Sequence, residues 1–254
     1  MAIELKSADD LARMREAGLI VYEVLIELEK LAQPGVSLEE LDAAAERETR
    51  KRGAVTAFKD LYGFPKHICI SVNEQVVHGV PGKRKLKEGD LCKLDFGVIK
   101  RGFYGDSART VCVGKVSDEN KLLCERTKAA LEAGIQAVAP GNRISDIGAA
   151  IEATLQPFPY GIVREYSGHG IGKKLHEEPK VPNYGPATWS PQQKNPRLRE
   201  GMVLAVEPMV NLGTWKVKML GDGWTIVTED GRWSSHWEHT IAVTPHGPQV
   251  LTRP

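Results

Sequence analysis

The chain has 254 residues, of which 41% are hydrophobic, and a formal net charge of +1 at pH 7. A chain of this length and composition can bury a large core, either as one domain or as two fused halves. A net charge this close to zero gives no electrostatic reason to expect a nucleic-acid or acidic-membrane partner.

The first predicted elements are two helices near the N-terminus. Ser7 can cap a helix whose apolar residues recur at helical spacing until shortly before Pro34, and Ser37 with Glu40 resembles a capping box for a second helix. The opening sequence MAIELKSADDLARMREAG carries acidic residues and no sustained apolar run, so it predicts neither a secretory signal nor a membrane anchor. The four cysteines show no CxxC spacing and three lie in apolar runs. We therefore expect reduced thiols and a cytoplasmic protein.

An internal repeat links the two parts of the chain. The segment PGVSLEELDAAAE, starting at Pro34, aligns without gaps on PGNRISDIGAAIE, starting at Pro140. The segment LKEGDLCKLD, which ends at Asp95, aligns on LREGMVLAVE, which ends at Glu207. A duplicated chain often places its site between the halves. The alternative is that Pro-Gly and Glu-Gly turns recur in unrelated proteins.

The remaining elements repeat the order of helices followed by strands. Helices are expected near 119–138 and 145–156. The strand-like runs are ICISV, LCKLDFGVI, ARTVCV, MVLAVEPMV, WTIVT and HTIAV. The pattern indicates an α+β fold with antiparallel strands, formed by one domain over residues 1–254 whose halves span about 1–115 and 116–254.

Five residues of metal-binding type are spread over both halves. They are Asp95, Asp106, His169, Glu207 and Glu238, in the strings KLDFG, FYGDSAR, YSGHGIG, LAVEPMV and HWEHT. Four carboxylates and one imidazole form an oxygen-rich set, which suits a pair of divalent cations better than one structural zinc ion. The set therefore predicts a hydrolase built around two metal ions.

The two aspartates lie on strand-like runs joined by turn residues near Gly102, which predicts a hairpin. In one register, Ile99 pairs with Gly102. This register places Asp95 opposite Asp106, and two like charges facing each other need a cation between them. A bulge at Gly102 or Gly105 would change the register, so the pairing is conditional.

The other carboxylates stand next to apolar strands. Glu207 follows the run MVLAV, where an unpartnered carboxylate is destabilising. Glu238 directly precedes a strand, and alternation places His236 on the same side. His236 and His239 could also be ligands, but unassigned histidines are usually surface or packing residues, and both are left out of the ligand set. His169 stands between two glycines, which let the backbone approach closely.

These residues carry a resemblance to a known family. The strings HGV, KLDFG, GDSART, GHGIGKKLHEEP, EPMV, GWT and WEHTIAVT, from about residue 60 to the C-terminus, resemble type I methionine aminopeptidases of the short bacterial form, in metallopeptidase family M24. The resemblance implies a pita-bread fold, with two pseudo-twofold-related halves around a central antiparallel sheet. It also implies a cytoplasmic metalloprotease of protein maturation, which removes the initiator methionine from nascent proteins and peptides with a small second residue.

The resemblance implies a role for each metal-binding residue. Asp95 would bind one metal ion, and His169 and Glu207 would bind the other. Asp106 and Glu238 would bridge both ions. A bridging hydroxide would attack the peptide bond, with Glu207 shuttling its proton. The expected cofactors are two divalent ions of cobalt, manganese, iron(II) or zinc.

Two histidines and an apolar pocket complete the implied active site. His176 would stabilise the tetrahedral intermediate, and His78 would contact the scissile amide nitrogen. Besides these two histidines, the implied substrate-binding residues are Phe58, Leu61, Phe64, Cys69, Leu175 and Trp224. The positions that depart from the commonest bacterial pattern, and leave the shape of the pocket open, are Phe58, Leu61, Leu175 and His67.

Further expectations concern ions, loops and partners. The resemblance implies a monovalent cation, sodium or potassium, held partly by backbone near Asn73, Gln75 and Ser234. Residues 183–197, NYGPATWSPQQKNPR, would form a Pro-rich surface loop beside the cleft. The expected partners are peptides and nascent chains with N-terminal methionine and, transiently, the ribosome. We expect a monomer without a membrane or specific nucleic-acid partner.

Two other functions stay open. A member of the same superfamily that cleaves before proline would share the metal site, but those relatives carry a longer N-terminal domain. A non-enzymatic homologue that binds the ribosome or RNA would be expected to lose metal ligands, whereas all five are present in this sequence.

Overall fold

The computed structural model describes residues 2–254, which form four α-helices and fifteen β-strands. The helices are α1 (Ala8–Leu31), α2 (Leu38–Lys51), α3 (Asp118–Gln136) and α4 (Ile144–Leu155). The strands are β1 (Val55–Thr56), β2 (Cys69–Val72), β3 (Gln75–Val77), β4 (Leu91–Lys100), β5 (Phe103–Cys112), β6 (Gly161–Ile162), β7 (Gly168–Gly170), β8 (Glu177–Val181), β9 (Val203–Val206), β10 (Met209–Asn211), β11 (Val217–Met219), β12 (Ile226–Thr228), β13 (Ser234–His236), β14 (His239–Thr244) and β15 (Gly247–Val250). Short 3₁₀ helices lie at Leu61–Gly63 and Pro186–Thr188.

The helices begin where the sequence predicts. The hydroxyl of Ser7 accepts from the Asp10 amide at 3.2 Å, while the Asp10 carboxylate accepts from the Ser7 amide at 3.0 Å. Ser37 and Glu40 make the same pair of bonds, at 3.3 and 2.8 Å. Each capping box satisfies amide donors that the first helical turn leaves unpaired. The helices expected near 119–138 and 145–156 are confirmed as α3 and α4.

The strands form four antiparallel sheets. In the first sheet β4 pairs with β1, β2 and β5, and the largest sheet has the order β15-β14-β9-β7-β8. The two three-stranded sheets have the orders β13-β10-β6 and β11-β12-β3. Helices packed on antiparallel sheets confirm the predicted α+β class.

Each pair of helices packs on a different set of strands. Leu25 and Leu28 of α1 are fully buried in one core with Leu94 and Phe96 of β4. Apolar residues of α3 and α4 share a second core with β9, β10 and β14, including Leu131, Ile147, Leu204, Val210 and Ile241. The strands that carry or adjoin the candidate ligands belong to the first sheet and to the five-stranded sheet. The division into halves at about residue 115 stays a prediction.

The β4–β5 hairpin has a different register from the expected one. Ile99 pairs with Tyr104 instead of Gly102, because Gly102 and the residue before it both adopt positive φ and form a two-residue turn. The expected register was therefore wrong by two residues, and Asp95 and Asp106 are diagonal neighbours. A shift of two residues leaves each side chain on the same face of the strand. Both aspartates consequently still lie on one face.

Helix α1 lies directly against β5 at a pair of glycines. A Cβ added at Gly105 would come within 2.8 Å of the Gly18 nitrogen and 3.0 Å of the Ala17 carbonyl carbon. Real Cβ atoms do not approach backbone so closely, so this position has no room for a side chain. The contact holds β5 against α1 one residue before Asp106.

The cysteines and the helices bear on the expected environment of the protein. All four cysteines are free thiols, and Cys69, Cys92 and Cys124 are buried as predicted, whereas Cys112 is exposed. No helix within residues 2–254 combines the length and the apolar character needed to cross a membrane.

Candidate active site

The predicted site residues surround one cavity of about 200 Å³. Its lining residues are Phe58, Leu61, Tyr62, Phe64, Cys69, Val77, His78, Asp95, Asp106, Tyr166, Ser167, His169, Leu175, His176, Glu207, Trp224 and Glu238. They include all five predicted metal ligands, both predicted catalytic histidines and all six predicted pocket residues. The fold thus brings together residues that are far apart in the sequence.

Strands of two sheets position the five ligands. Asp95 lies on β4, Asp106 on β5, His169 on β7, Glu207 directly after β9, and Glu238 directly before β14. His169 pairs with Ala205, which places the imidazole beside the end of β9. The Glu238 amide donates to the Ala108 carbonyl at 2.9 Å. Backbone hydrogen bonds therefore hold the ligands of the second half against those of the first.

The imidazole of His169 is oriented as a metal ligand. Its Nδ1 lies 2.8 Å from the Gly170 carbonyl, which can only accept, so Nδ1 carries the proton and Nε2 keeps its lone pair. Nε2 faces the acids, 3.7 Å from Glu207 Oε1 and 4.0 Å from Asp106 Oδ2. Burial and the neighbouring His176 ring lower the pKa of His169 to about 3, which keeps the ring neutral at pH 7.

The four carboxylates are crowded in a way that cations would relieve. Burial raises the pKa of Asp95 to about 7. Burial and neighbouring carboxylates raise the pKa values of Asp106, Glu207 and Glu238 well above their usual range. Asp106 Oδ1 and Glu238 Oε1 are buried without a hydrogen-bond partner among residues 2–254. Ligand atoms of Asp106, His169 and Glu238 lie within 4.8 Å of one another, so this buried group fits a divalent metal ion.

Two further histidines face the cavity beside these ligands. The ring of His176 lies 4.4 Å from that of His169, and its Nδ1 is 3.4 Å from the Tyr62 hydroxyl. His78 packs edge-on against Tyr166, with ring centroids 5.4 Å apart. His78 also has a φ of 58°, an unfavourable left-handed conformation that is often found at functional sites. Burial lowers the pKa of both His176 and His78, the latter to about 4, so both rings are neutral at pH 7.

The apolar side of the cavity contains the six predicted pocket residues. Phe64 and Trp224 pack edge-on, with ring centroids 5.2 Å apart. Cys69 pairs with Asp95 across β2 and β4, which places the thiol beside a candidate metal ligand. Burial and Asp95 raise the pKa of the Cys69 thiol well above its usual value, so the thiol stays neutral. The pocket wall next to the ligands is therefore uncharged.

Two features expected beside the cavity lie elsewhere. His67 bonds to Thr56, with Nδ1 2.8 Å from the hydroxyl, and does not line the cavity that the structure describes. Residues 183–197 pack on α4, where the Gly185 amide donates to Glu152 at 3.0 Å. None of these fifteen residues, all of which are described, lines the cavity. The loop therefore does not form the wall of this cavity; its polar contacts are with α4, with Gly141 and with Glu178 of β8.

Some residues around the site were not identified from the sequence. The cavity also contains Tyr62, Tyr166 and Ser167. His236, left unassigned above, is 1% exposed and its Nε2 is 3.7 Å from Glu207 Oε2. The only sequence signal for His236 was its place as the first residue of the HWEHT motif, because the contact with Glu207 joins β13 to the end of β9.

The residues expected to hold a monovalent cation lie outside the cavity. The carbonyls of Asn73 and Ser234 both accept from the Lys93 ammonium group, at 2.7 and 3.0 Å. The side chain of Gln75 accepts from the Val72 amide at 2.8 Å. The ammonium group of a lysine therefore bonds to two of the carbonyls that were expected to hold the cation, and the cation site itself stays a prediction.

The chain is similar to proteins of known families. A model of metallopeptidase family M24 matches residues 12–245. Methionine aminopeptidase 1 from Bacillus subtilis strain 168 is 49% identical over 248 residues, which cover 98% of each chain. The crystal structure of methionine aminopeptidase from Rickettsia prowazekii is 37% identical, with a TM-score of 0.94, and the match covers 99% of this chain and 100% of that one.

A more distant structure shares the fold alone. Prolidase from Pyrococcus furiosus is 21% identical, with a TM-score of 0.78, over 98% of this chain and 65% of that chain. Together these structural similarities confirm the expected pita-bread fold.

Proposed function

The chain belongs to metallopeptidase family M24, and from this membership we propose that it removes the initiator methionine from nascent proteins and peptides with a small second residue. The observation that carries the proposal is the cavity itself, which combines five metal-ligand side chains with an uncharged apolar pocket. Only a chain terminus presents a free α-amine and a first carbonyl to such a site together. The arrangement therefore supports cleavage after the first residue.

The ligand set supports two divalent ions. Asp95 would hold one ion, and His169 and Glu207 would hold the other. Asp106 and Glu238, each with a buried unpartnered oxygen, would contact both ions. When bound, the ions would acidify the attacking water and polarise the scissile carbonyl. Cobalt, manganese, iron(II) and zinc all suit such ligands, and availability selects among them.

The side chains of this chain supply the proton transfers and hydrogen bonds. Glu207 would accept the proton of the attacking water and return it to the leaving amine, and its location between His169 and His236 keeps it close to the reaction. His176, neutral at pH 7, would donate to the carbonyl oxygen as negative charge develops there. His78 would contact the amide nitrogen of the scissile bond. Its strained backbone supports a site-specific role.

The apolar wall supports selection of methionine. The aromatic rings of Phe58, Phe64 and Trp224 and the neutral Cys69 thiol can enclose an unbranched apolar side chain. A thioether makes favourable contacts with such rings, whereas a charged first residue would be desolvated without a partner. This pocket would set the preference for the first residue of the substrate.

Peptide hydrolysis tests the proposed function. We expect Met-Ala-Ser to be cleaved after methionine by the metal-loaded protein, and much faster than Xaa-Pro peptides. Replacing Asp106 with asparagine should lower kcat by more than about 100-fold, since changes next to metal ligands alone lower activity 10- to 100-fold. Asp60→Asn is the matched control, because that side chain is 83% exposed. Faster Xaa-Pro cleavage, or full activity of the Asp106 variant, would contradict the proposal.

A further inference from the structure

Lys93 is a buried lysine without an ion-pair partner. Its relative exposure is 1%, and it makes no salt bridge with any residue in the range 2–254. The ammonium group instead donates to the main-chain carbonyls of Asn73, at 2.7 Å, and Ser234, at 3.0 Å. An unpaired charge is unfavourable in a protein interior unless oxygen atoms replace its hydration shell. The two carbonyls do this for Lys93.

The Asn73 carbonyl is held in place by a local network. Asn73 has a φ of 58°, in the left-handed region that asparagine tolerates better than most residues. Its side-chain amide donates to Asp90 at 2.9 Å, and its side-chain oxygen accepts from the Leu91 amide at 2.9 Å. Its carbonyl also accepts from the Ser234 amide at 3.1 Å. The oxygen that faces Lys93 is therefore held in place by groups other than the lysine.

Two distant parts of the chain meet at this ammonium group. Asn73 lies in the turn between β2 and β3, whereas Ser234 begins β13, more than 150 residues later. Carbonyl oxygens that converge from separate segments form the kind of site that binds a monovalent cation. Hydrogen bonds to two carbonyl oxygens favour the charged form of Lys93.

We propose that Lys93 is a built-in replacement for a monovalent cation: its ammonium group joins β13 to the β2–β3 turn and makes the protein independent of added sodium or potassium. An ammonium group thus lies where a monovalent cation was expected. A lysine on β4 reaches the carbonyls that a free ion would otherwise bind.

The hydrogen bonds of Lys93 to Asn73 and Ser234 also affect the geometry of the active site. Lys93 lies two residues before Asp95 on β4, and β13 ends two residues before Glu238. The Thr110 hydroxyl, on β5, adds a second link by donating to the His236 carbonyl at 2.8 Å. Lys93 would therefore act as a positioning residue for the segment that carries Glu238.

Thermal unfolding of the metal-free protein tests the proposal. Lys93→Ser removes the ammonium group and leaves space for an ion. At equal ionic strength we expect the wild-type Tm to be the same in sodium, potassium and choline chloride. The variant should melt about 5 °C lower or more in choline, because the buried Ser234 carbonyl loses the ammonium donor and the Asn73 carbonyl keeps only the Ser234 amide. Sodium or potassium should restore at least half of that loss.

Two matched variants separate the cation effect from a general loss of stability. Lys100→Ser removes an ammonium group that also bonds to two carbonyls, those of Arg52 at 3.2 Å and Gly53 at 2.7 Å, but at a site that water reaches. Its Tm should show no selective recovery in sodium or potassium. Lys93→Met fills the space with an apolar chain, so its Tm should stay low in all three salts.

Several outcomes would overturn the proposal. One is a Lys93→Ser variant that has the same Tm in choline and potassium, or that fails to fold in every salt. Another is a wild-type protein that sodium or potassium stabilises as strongly as they stabilise the variant. Crystals grown with rubidium chloride give a check that needs no stable variant. An anomalous peak between the carbonyls of Asn73 and Ser234 in the wild type would contradict an ammonium group at that position.

Discussion

His236 illustrates how the role of a single residue depends on its neighbours. The ring is buried, with Nε2 3.7 Å from Glu207 Oε2, and neither ring nitrogen has a hydrogen-bond partner among the described residues. Burial lowers the pKa of His236 to about 3, so the ring is neutral at pH 7 and carries one N–H. A donor beside a ligating carboxylate fixes the orientation of that carboxylate. The separation of 3.7 Å is longer than a hydrogen bond, so we predict that His236 orients Glu207 once the carboxylate moves about 0.5 Å toward the ring, as on metal binding.

Substitution of His236 tests this orientation. His236→Leu should lower kcat/KM about 10- to 100-fold, the usual effect of losing a group that supports a metal ligand. His236→Gln keeps an N–H donor of similar reach and should retain most of the activity. Steady-state kinetics on a Met-Ala peptide measures both. The exposed His246, replaced by leucine, is the control and should change nothing. Equal losses in the leucine and glutamine variants would show that packing, not hydrogen bonding, matters at this position.

Helix α1 and the β4–β5 hairpin show how packing between elements places the ligands. The turn at Gly102 sets the register, and the glycine contact between α1 and β5 sets the distance of the hairpin from the helix. Asp106 directly follows Gly105, so a change in that distance moves a candidate metal ligand. The sequence predicts the hairpin from its turn residues. It does not predict the register, which depends on backbone angles at the turn.

Gly105→Ala tests the glycine contact. The added methyl group would clash with the backbone of α1, so we expect the free energy of unfolding to fall by about 1 to 3 kcal/mol, as for other overpacked cores. Urea denaturation measures this change. Gly82→Ala is the matched control, because its Cβ would meet nothing within 4 Å and its φ is not positive. If both variants are equally stable, α1 and β5 leave room for a methyl group at Gly105, and the close backbone contact is contradicted.

The complete molecule brings carboxylates from opposite parts of the chain into one buried site. Asp95 and Asp106 come from the first sheet, and Glu207 and Glu238 from strand ends of the second. Their raised pKa values follow from this assembly, because burial and mutual repulsion exist only in the folded state. Metal binding must therefore displace protons from the metal-free protein.

This linkage predicts a pH-dependent metal affinity. At pH values below its pKa of about 7, the Asp95 carboxyl is protonated, and the proton competes with the metal ion for the carboxylate. The apparent affinity for manganese should therefore rise between about pH 6 and 8. Calorimetric titrations in two buffers of different ionisation enthalpy measure the protons released. Asp95→Asn should release fewer protons than the wild type, whereas Asp60→Asn should match it. A binding enthalpy independent of the buffer would contradict the prediction.

Local signals in the chain were enough to predict the helices and the ligand set. Ser7 and Ser37 cap their helices through residues only three positions away, so the sequence contains both partners. Most residues lining the cavity were predicted from their metal-binding types or from motif resemblance, whereas Tyr62, Tyr166 and Ser167 were not, and the roles of the predicted residues stay predictions. Long-range contacts decided the rest: His236 meets Glu207, and Lys93 reaches Ser234, only after separate sheets have packed together. Such contacts depend on register and burial, which no short stretch of sequence specifies.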